Sequence, residues 1–163
     1  MRRTVFYYLL IVFLLLVDQV TKFAVTKYIR LYQDITIIPG FMNLTNIHNR
    51  GAIFGFFSQN HNPAVYIILT IASLLALGFV VYFFFKTPFS DRMMKVSLSF
   101  ILAGAMGNLL DRVLKGYVVD FIDVYVKSWH WPTFNLADAS ISIGAVLLVS
   151  FLLFGRPKCS PSS

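Results

Sequence analysis

The side chains in this sequence that could do chemistry are carboxylates set in oil. All seven acidic residues are aspartates, with no glutamate anywhere in the chain. Asp111, Asp120, Asp123 and Asp138 fall within residues 104–140, GAMGNLLDRVLKGYVVDFIDVYVKSWHWPTFNLADAS, alongside Asn108, Arg112 and Asn135; Asp18, Asp34 and Asp91 lie elsewhere. Ionisable groups in apolar surroundings are costly to keep, which makes them functional candidates by default. Two carboxylates sharing a low-dielectric site do not both ionise easily. One keeps its proton, so the pair offers a general base and a general acid together. Such a pair can activate a water against a peptide carbonyl with neither a metal nor a nucleophilic side chain. Other chemistries find little footing. His48, His61 and His130 lack metal-ligand spacing such as HExxH. There is no GxSxG motif and no glycine-rich phosphate loop. The single cysteine, Cys159, sits in the polar tail KCSPSS and allows no disulfide within one chain.

The elements that must position these groups are membrane helices. Of 163 residues, 58% are hydrophobic and only 13% charged, where a soluble domain carries about 25% charge. A single integral membrane domain over residues 1–163 is expected, all-α, with four transmembrane helices at about 5–27, 63–85, 93–114 and 135–154. The first could have been a cleavable signal peptide, but no small-x-small cleavage site follows Val17, and apolar sequence resumes at Ala24. The segment 28–61 differs. It carries a turn signal at Pro39 and Gly40 and alternation over residues 42–45, so a small β-like cradle outside the cytoplasm is expected there. Gly104 and Gly107 suit close helix packing, and Gly116 suits a helix C-terminus.

The net charge of +7 calls for no nucleic acid, since basic residues gather near the ends of apolar runs as membrane flanks do. They divide equally between the two sides of a four-span topology. The set at the termini and the 86–95 loop is the denser, which predicts both termini in the cytoplasm and the polar cluster at the outer face of the membrane.

Each of these residues also has a plainer reading. Asp138, three residues after Asn135, suits a helix N-terminal cap. Asp111 beside Arg112, and Asp18 with Lys22 at i,i+4, could be structural ion pairs. Asp123 could be an ordinary loop acid, and Asn49 with Gly51 a simple turn. Trp129 and Trp131 suit interfacial anchors, and the three histidines interfacial polar groups. Asp120 is harder to dismiss, because VVDFI offers it apolar flanks and no neighbouring cation. A small proton-coupled carrier with buried Asp is the alternative function. A carrier should, however, place such groups near the midplane and along both halves of a pathway.

The stretches DQVTK at 18–22, NRGAIF at 49–54, GNLLDR at 107–112, VVDFID at 118–123 and FNLADAS at 134–140 together resemble the lipoprotein signal peptidase (signal peptidase II) family. Ile53 is a departure, standing where that family usually has Ala. The resemblance implies a four-helix aspartic peptidase of the bacterial cytoplasmic (inner) membrane. It would cut diacylglyceryl-modified prolipoproteins just before the lipidated cysteine. Carried over by motif, Asp120 and Asp138 are the catalytic pair. Asp18, Lys22, Asn49, Gly51, Asn108, Asp111, Arg112 and Asn135 bind substrate or support the site. The resemblance further implies membrane lipids and globomycin-type inhibitors as partners, and neither a cofactor nor a metal.

Overall fold

The computed structural model describes residues 2–50 and 63–154. Its elements run α1 (Arg2–Tyr28), β1 (Ile35–Ile38), β2 (Met42–Asn49), α2 (Pro63–Lys86), α3 (Arg92–Lys115), β3 (Val118–Val126), β4 (Trp129–His130) and α4 (Leu136–Phe154). All four helices contain stretches long and apolar enough to cross a membrane. The residues that would face lipid on a spanning helix are exposed here, among them Leu9, Phe13, Leu16, Ile68, Leu75, Phe79, Val146 and Leu153. The expected membrane fold with a small sheet is present.

The helix α3 is the hub, packing on α4, α1 and α2. Small residues let it do so. A Cβ on Gly104 would collide with the Ala137 carbonyl of α4, and one on Gly107 would sit 2.5 Å from Asp18 Oδ2 of α1. The helix ends at Gly116, whose φ of 79° is left-handed and whose N–H donates to the Arg112 carbonyl, the conformation glycine adopts most readily.

Two apolar clusters cap the ends of the bundle. Tyr7, Phe84, Leu98 and Leu102 form one, near the α2–α3 loop. There Lys95 is fully buried; its Nζ donates to the Phe84 carbonyl and lies 4.0 and 4.1 Å from the Phe84 and Phe89 ring centroids. That charge is held by a carbonyl and ring faces, a structural arrangement. Val25, Ile29, Val119 and Phe121 form the second cluster, where the sheet meets α1. The candidate site lies at this second end.

The sheet is wholly antiparallel with strand order β1-β2-β3-β4. It is larger than segment 28–61 alone could make. Residues 118–126, expected as part of a connection, form the buried central strand β3. Alternation along a strand separates its faces. Val119 and Phe121 pack toward α1, while Val118 and Asp120 face a cavity between the helices.

Candidate active site

The N-terminus of α4 shows how a local folding motif becomes part of a site. Asn135 Oδ1 accepts from the Asp138 N–H at 3.0 Å, and Asp138 Oδ2 accepts from the Asn135 N–H at 3.3 Å. This is a reciprocal capping box. A further free N–H of that first turn, on Ala137, donates to Asp18 Oδ1 at 2.9 Å. The capping reading of Asp138 therefore holds, and it occupies only one carboxylate oxygen. The other, Oδ1, accepts from Asn108 Nδ2 at 2.7 Å.

Asp120 reaches the same place from β3. Its Oδ1 accepts from Asn135 Nδ2 at 2.7 Å and its Oδ2 from Asn49 Nδ2 at 2.8 Å. Asn135 thus touches both carboxylates, one through its side chain and one through its backbone. Asp120 is 2% exposed. Burial, and then the charge of Asp138, push its carboxyl up to about 7, against the weaker opposing pull of the Asn49 and Asn135 donors and the Lys22 charge. A carboxyl so placed can hold a proton near neutral pH.

Beneath the two carboxylates lies a buried ionic layer. Lys22 Nζ is 2.9 Å from Asp18 Oδ2, 3.1 Å from Asp111 Oδ2 and 2.9 Å from Asn108 Oδ1. Lys115 Nζ pairs with Asp111 Oδ1 at 2.7 Å, and the Val119 N–H donates to Asp111 Oδ2 at 3.3 Å. Asp111 therefore clamps the turn from α3 into β3. The Asp18–Lys22 pair is as expected, but the Asp111–Arg112 pair is not what forms. Consecutive residues on a helix point about 100° apart. Asp111 turns inward to Lys22, while Arg112 faces the cavity and donates from Nη1 to Ser73 Oγ of α2 at 3.3 Å.

The cavity is about 640 Å³. Asn49, Asn108, Arg112, Asp120 and Asp138 make its polar end. Ala76 and Val80 of α2, Ile101 and Ala105 of α3, and Ile141 and Ile143 of α4 make an apolar continuation within the helical layer.

Asp18, Lys22, Asn49, Asn108, Asp111, Arg112, Asn135, Asp120 and Asp138 are thus gathered at one end of the bundle. Gly51, His61 and Cys159 lie outside the described residues. Asp123 is no loop acid. It is buried in β3, accepts from Asn43 Nδ2 at 3.1 Å and lies 2.8 Å from His130 Nδ1, away from the cavity lining. His48 stacks on Tyr117 with ring centroids 3.8 Å apart. Burial, then Arg50 and Lys115, hold its pKa below the usual value. Sequence reading passed over Gln19, which donates to Asp18 Oδ2 and to the Gly107 carbonyl, and Ser73. Both carried a usable signal: Gln19 adjoins Asp18, and Ser73, with Thr70 one turn before it, is a small hydroxyl in an apolar run.

Comparison with known proteins agrees with the membrane fold. The family model described as Signal peptidase (SPase) II matches residues 10–154. A lipoprotein signal peptidase of Syntrophus aciditrophicus is 45% identical over 137 residues, covering 83% of this chain and 84% of the relative. One from Francisella tularensis subsp. novicida is 35% identical over 152 residues, covering 93% and 94%. Among solved structures, a bacterial membrane enzyme determined in meso at 2.3 Å resolution superposes with a TM-score of 0.78 at 38% identity, covering 96% of this chain and 93% of that one. A second, at 1.9 Å resolution, gives a TM-score of 0.77 at 36% identity, covering 92% and 94%. With the match running from α1 through α4, this multi-pass membrane protein belongs to the signal peptidase II family.

Proposed function

We propose that the protein removes signal peptides from diacylglyceryl-modified prolipoproteins, cutting before the lipidated cysteine, with Asp120 and Asp138 as an aspartic dyad. The observation that carries this reading is the pair itself. Two carboxylates from different elements share Asn135 as a neighbour and face one cavity, and the charge of Asp138 adds to burial in raising the cost of ionising Asp120. Family membership supports the substrate class and gives the carrier alternative no footing.

The mechanism follows from the shared proton. The ionised carboxylate takes a proton from a water as its oxygen bonds to the scissile carbonyl carbon. The protonated partner gives its proton to the carbonyl oxygen, leaving a neutral gem-diol. On collapse the first aspartate returns its proton to the leaving nitrogen, the C–N bond breaks, and a diol hydroxyl returns its proton to the second aspartate. The dyad ends as it began, and one water has been consumed. The carboxamides of Asn49, Asn108 and Asn135 hold both carboxylates in place before the substrate arrives, so little reorganisation is needed.

The cavity's division suits such a substrate. Its polar end would receive the peptide bond, and its apolar continuation toward Val80 and Ile101 would receive lipid-like chain. Exposed Ile35, Ile37, Ile38 and Phe41 of the β1–β2 hairpin suit contact with membrane lipid at the interface. We place both termini in the cytoplasm and the site at the outer face of the cytoplasmic membrane, where secreted precursors arrive. The test is cleavage of a synthetic diacylglyceryl-modified precursor by the purified protein in lipid nanodiscs, with both products identified by mass. A fragment beginning at the modified cysteine is expected. Cleavage elsewhere, or equal cleavage of the unmodified precursor, would overturn the substrate assignment.

A further inference from the structure

We propose that Lys22 is a positioning residue for the dyad, acting on Asp138 through the Asn108 carboxamide. The inference rests on the dyad reading above. Lys22 itself is fully buried and does not line the cavity. Its ammonium has three protons to donate and no capacity to accept, and the three oxygens around it, on Asp18, Asp111 and Asn108, use all of them. Contact with substrate is therefore not open to it. What it controls is direction.

Because Lys22 can only donate, Asn108 must turn its oxygen toward it and its NH₂ the other way, onto Asp138 Oδ1. Asn135 is fixed by the same logic from the opposite end. The Asp138 N–H claims Asn135 Oδ1, so the Asn135 NH₂ must face Asp120 Oδ1 and Asn108 Oδ1. The two carboxamides form a one-way chain of donors, anchored by an ammonium at one end and a helix N–H at the other. Flipping Asn108 would set its NH₂ against the Lys22 ammonium and the Asn135 NH₂, and its oxygen against the Asp138 carboxylate. With Lys22 present that flip is closed off. Asp138 is then held with Oδ1 bound from behind, and the proton shared by the pair is kept on the cavity side, where water and substrate meet it.

The charged groups around this chain are Asp18 and Lys22 on α1, Asp111, Arg112 and Lys115 on α3, Asp120 on β3 and Asp138 on α4. Loss of the Lys22 charge leaves the fold with other supports. Asp111 keeps Lys115 and the Val119 N–H, and Asp18 keeps Gln19 and the Ala137 N–H.

The experiment compares wild type, Lys22→Gln, Asn108→Leu and the double variant in nanodiscs, measuring kcat, KM and the pH dependence of kcat on a synthetic diacylglyceryl-modified precursor. For Lys22→Gln, kcat should fall about tenfold to a hundredfold, the scale of a small misplacement of reacting groups, with KM within about twofold. The acidic limb of the kcat profile should move to higher pH, because removing a cation makes the pair hold its protons more tightly. With kcat read at each variant's own pH optimum, which removes the direct effect of the Lys22 charge on the limb, the double variant should be no worse than Asn108→Leu alone, since the positioning effect of both passes through one amide. Unchanged kcat, an unmoved limb, or additive losses in the double variant would each overturn the proposal. If Lys22→Gln fails to fold, Asn108→Asp carries the test, because it keeps a partner for Lys22 while turning an acceptor toward Asp138. It should lose kcat and shift the limb in the same direction; wild-type kinetics would refute the proposal. Asp138→Asn run alongside separates the two levels. An active Asp138→Asn sinks the dyad itself, whereas an inactive one beside a fully active Lys22→Gln sinks only this inference.

Discussion

Replacing Asp120 by Asn should flatten the pH dependence of this protein's stability. The Asp120 carboxyl is pushed from an ordinary 3.8 up to about 7, first by burial and second by the charge of Asp138. Between those two values the folded state keeps a proton that the unfolded chain has released. The unfolded state therefore gains on the folded one as pH rises, and the stability present below about pH 4 is fully lost above about pH 7. At about 1.4 kcal/mol per unit, a displacement of about three units corresponds to roughly 4 kcal/mol across that window. An asparagine does not titrate, so its variant should lack this slope. It should also start lower at pH 5. One edge of its carboxamide must meet a donor from Asn49 or Asn135, and such a mispaired buried group costs about 1–3 kcal/mol. The two stability curves should thus converge or cross toward pH 8. Asp138→Asn removes only the second cause and should keep most of the slope. Thermal unfolding in one detergent at half-unit steps from pH 5 to 8 provides the measurement, followed by the fluorescence of Trp129 and Trp131 beside the site. An Asp120→Asn variant retaining the full wild-type slope would show that the proton is held elsewhere.

Further expectations concern packing, the arginine and topology. Gly104→Ala would drive a methyl into the Ala137 carbonyl of α4, backbone that cannot swing aside. A loss of about 1–3 kcal/mol is expected from overpacking, read as a lowered unfolding midpoint. Arg112→Ala leaves both ion pairs of Asp111 intact, so it should unfold near the wild-type midpoint while cleavage falls. A collapse of stability would mean that Arg112 supports the fold as well as the site. A reporter fused after Ser163 that is active only outside the cytoplasm should give no signal; a strong signal would invert the proposed orientation.

Much of this fold was legible because its spans are written in composition. Runs of apolar residues bounded by Lys, Arg and turn residues mark all four helices, and Gly104, Gly107 and Gly116 mark where α3 approaches its neighbours and where it ends. The strand β3 was harder to see. In VVDFIDVYV the β-branched and aromatic residues favour a strand, but a strand buried on both faces loses the polar alternation that would announce it. Its pairing with β2 joins residues about 70–80 positions apart, and nothing local encodes that. The site divides the same way. Residue types and the four-span topology brought Asp18, Asn108, Asp111 and Asp138 to one face of the membrane. Which acid pairs with which base depended on helix rotation, and there the neighbour in sequence, Arg112, proved to be the wrong partner for Asp111. Asp138 shows that the plain reading leaves room for the proposed chemical one, since the helix cap uses only Oδ2 while Oδ1 accepts from Asn108 and the residue still lines the cavity. Asp123 was misjudged because its burial comes from Asn43 and His130, brought together only by the sheet.

The central claim is that Asp120 and Asp138 share one proton and activate one water. The most direct measurement is single-turnover cleavage of a diacylglyceryl-modified precursor by Asp120→Asn, Asp138→Asn and Asp123→Asn, each shown to be folded and to bind the precursor. Asp120→Asn and Asp138→Asn should bind and fail to cleave, losing activity by several orders of magnitude, while Asp123→Asn, outside the cavity lining, stays within about tenfold of wild type, the factor that corresponds to about 1.4 kcal/mol of barrier. Substantial turnover by a folded Asp120→Asn or Asp138→Asn protein would contradict the dyad.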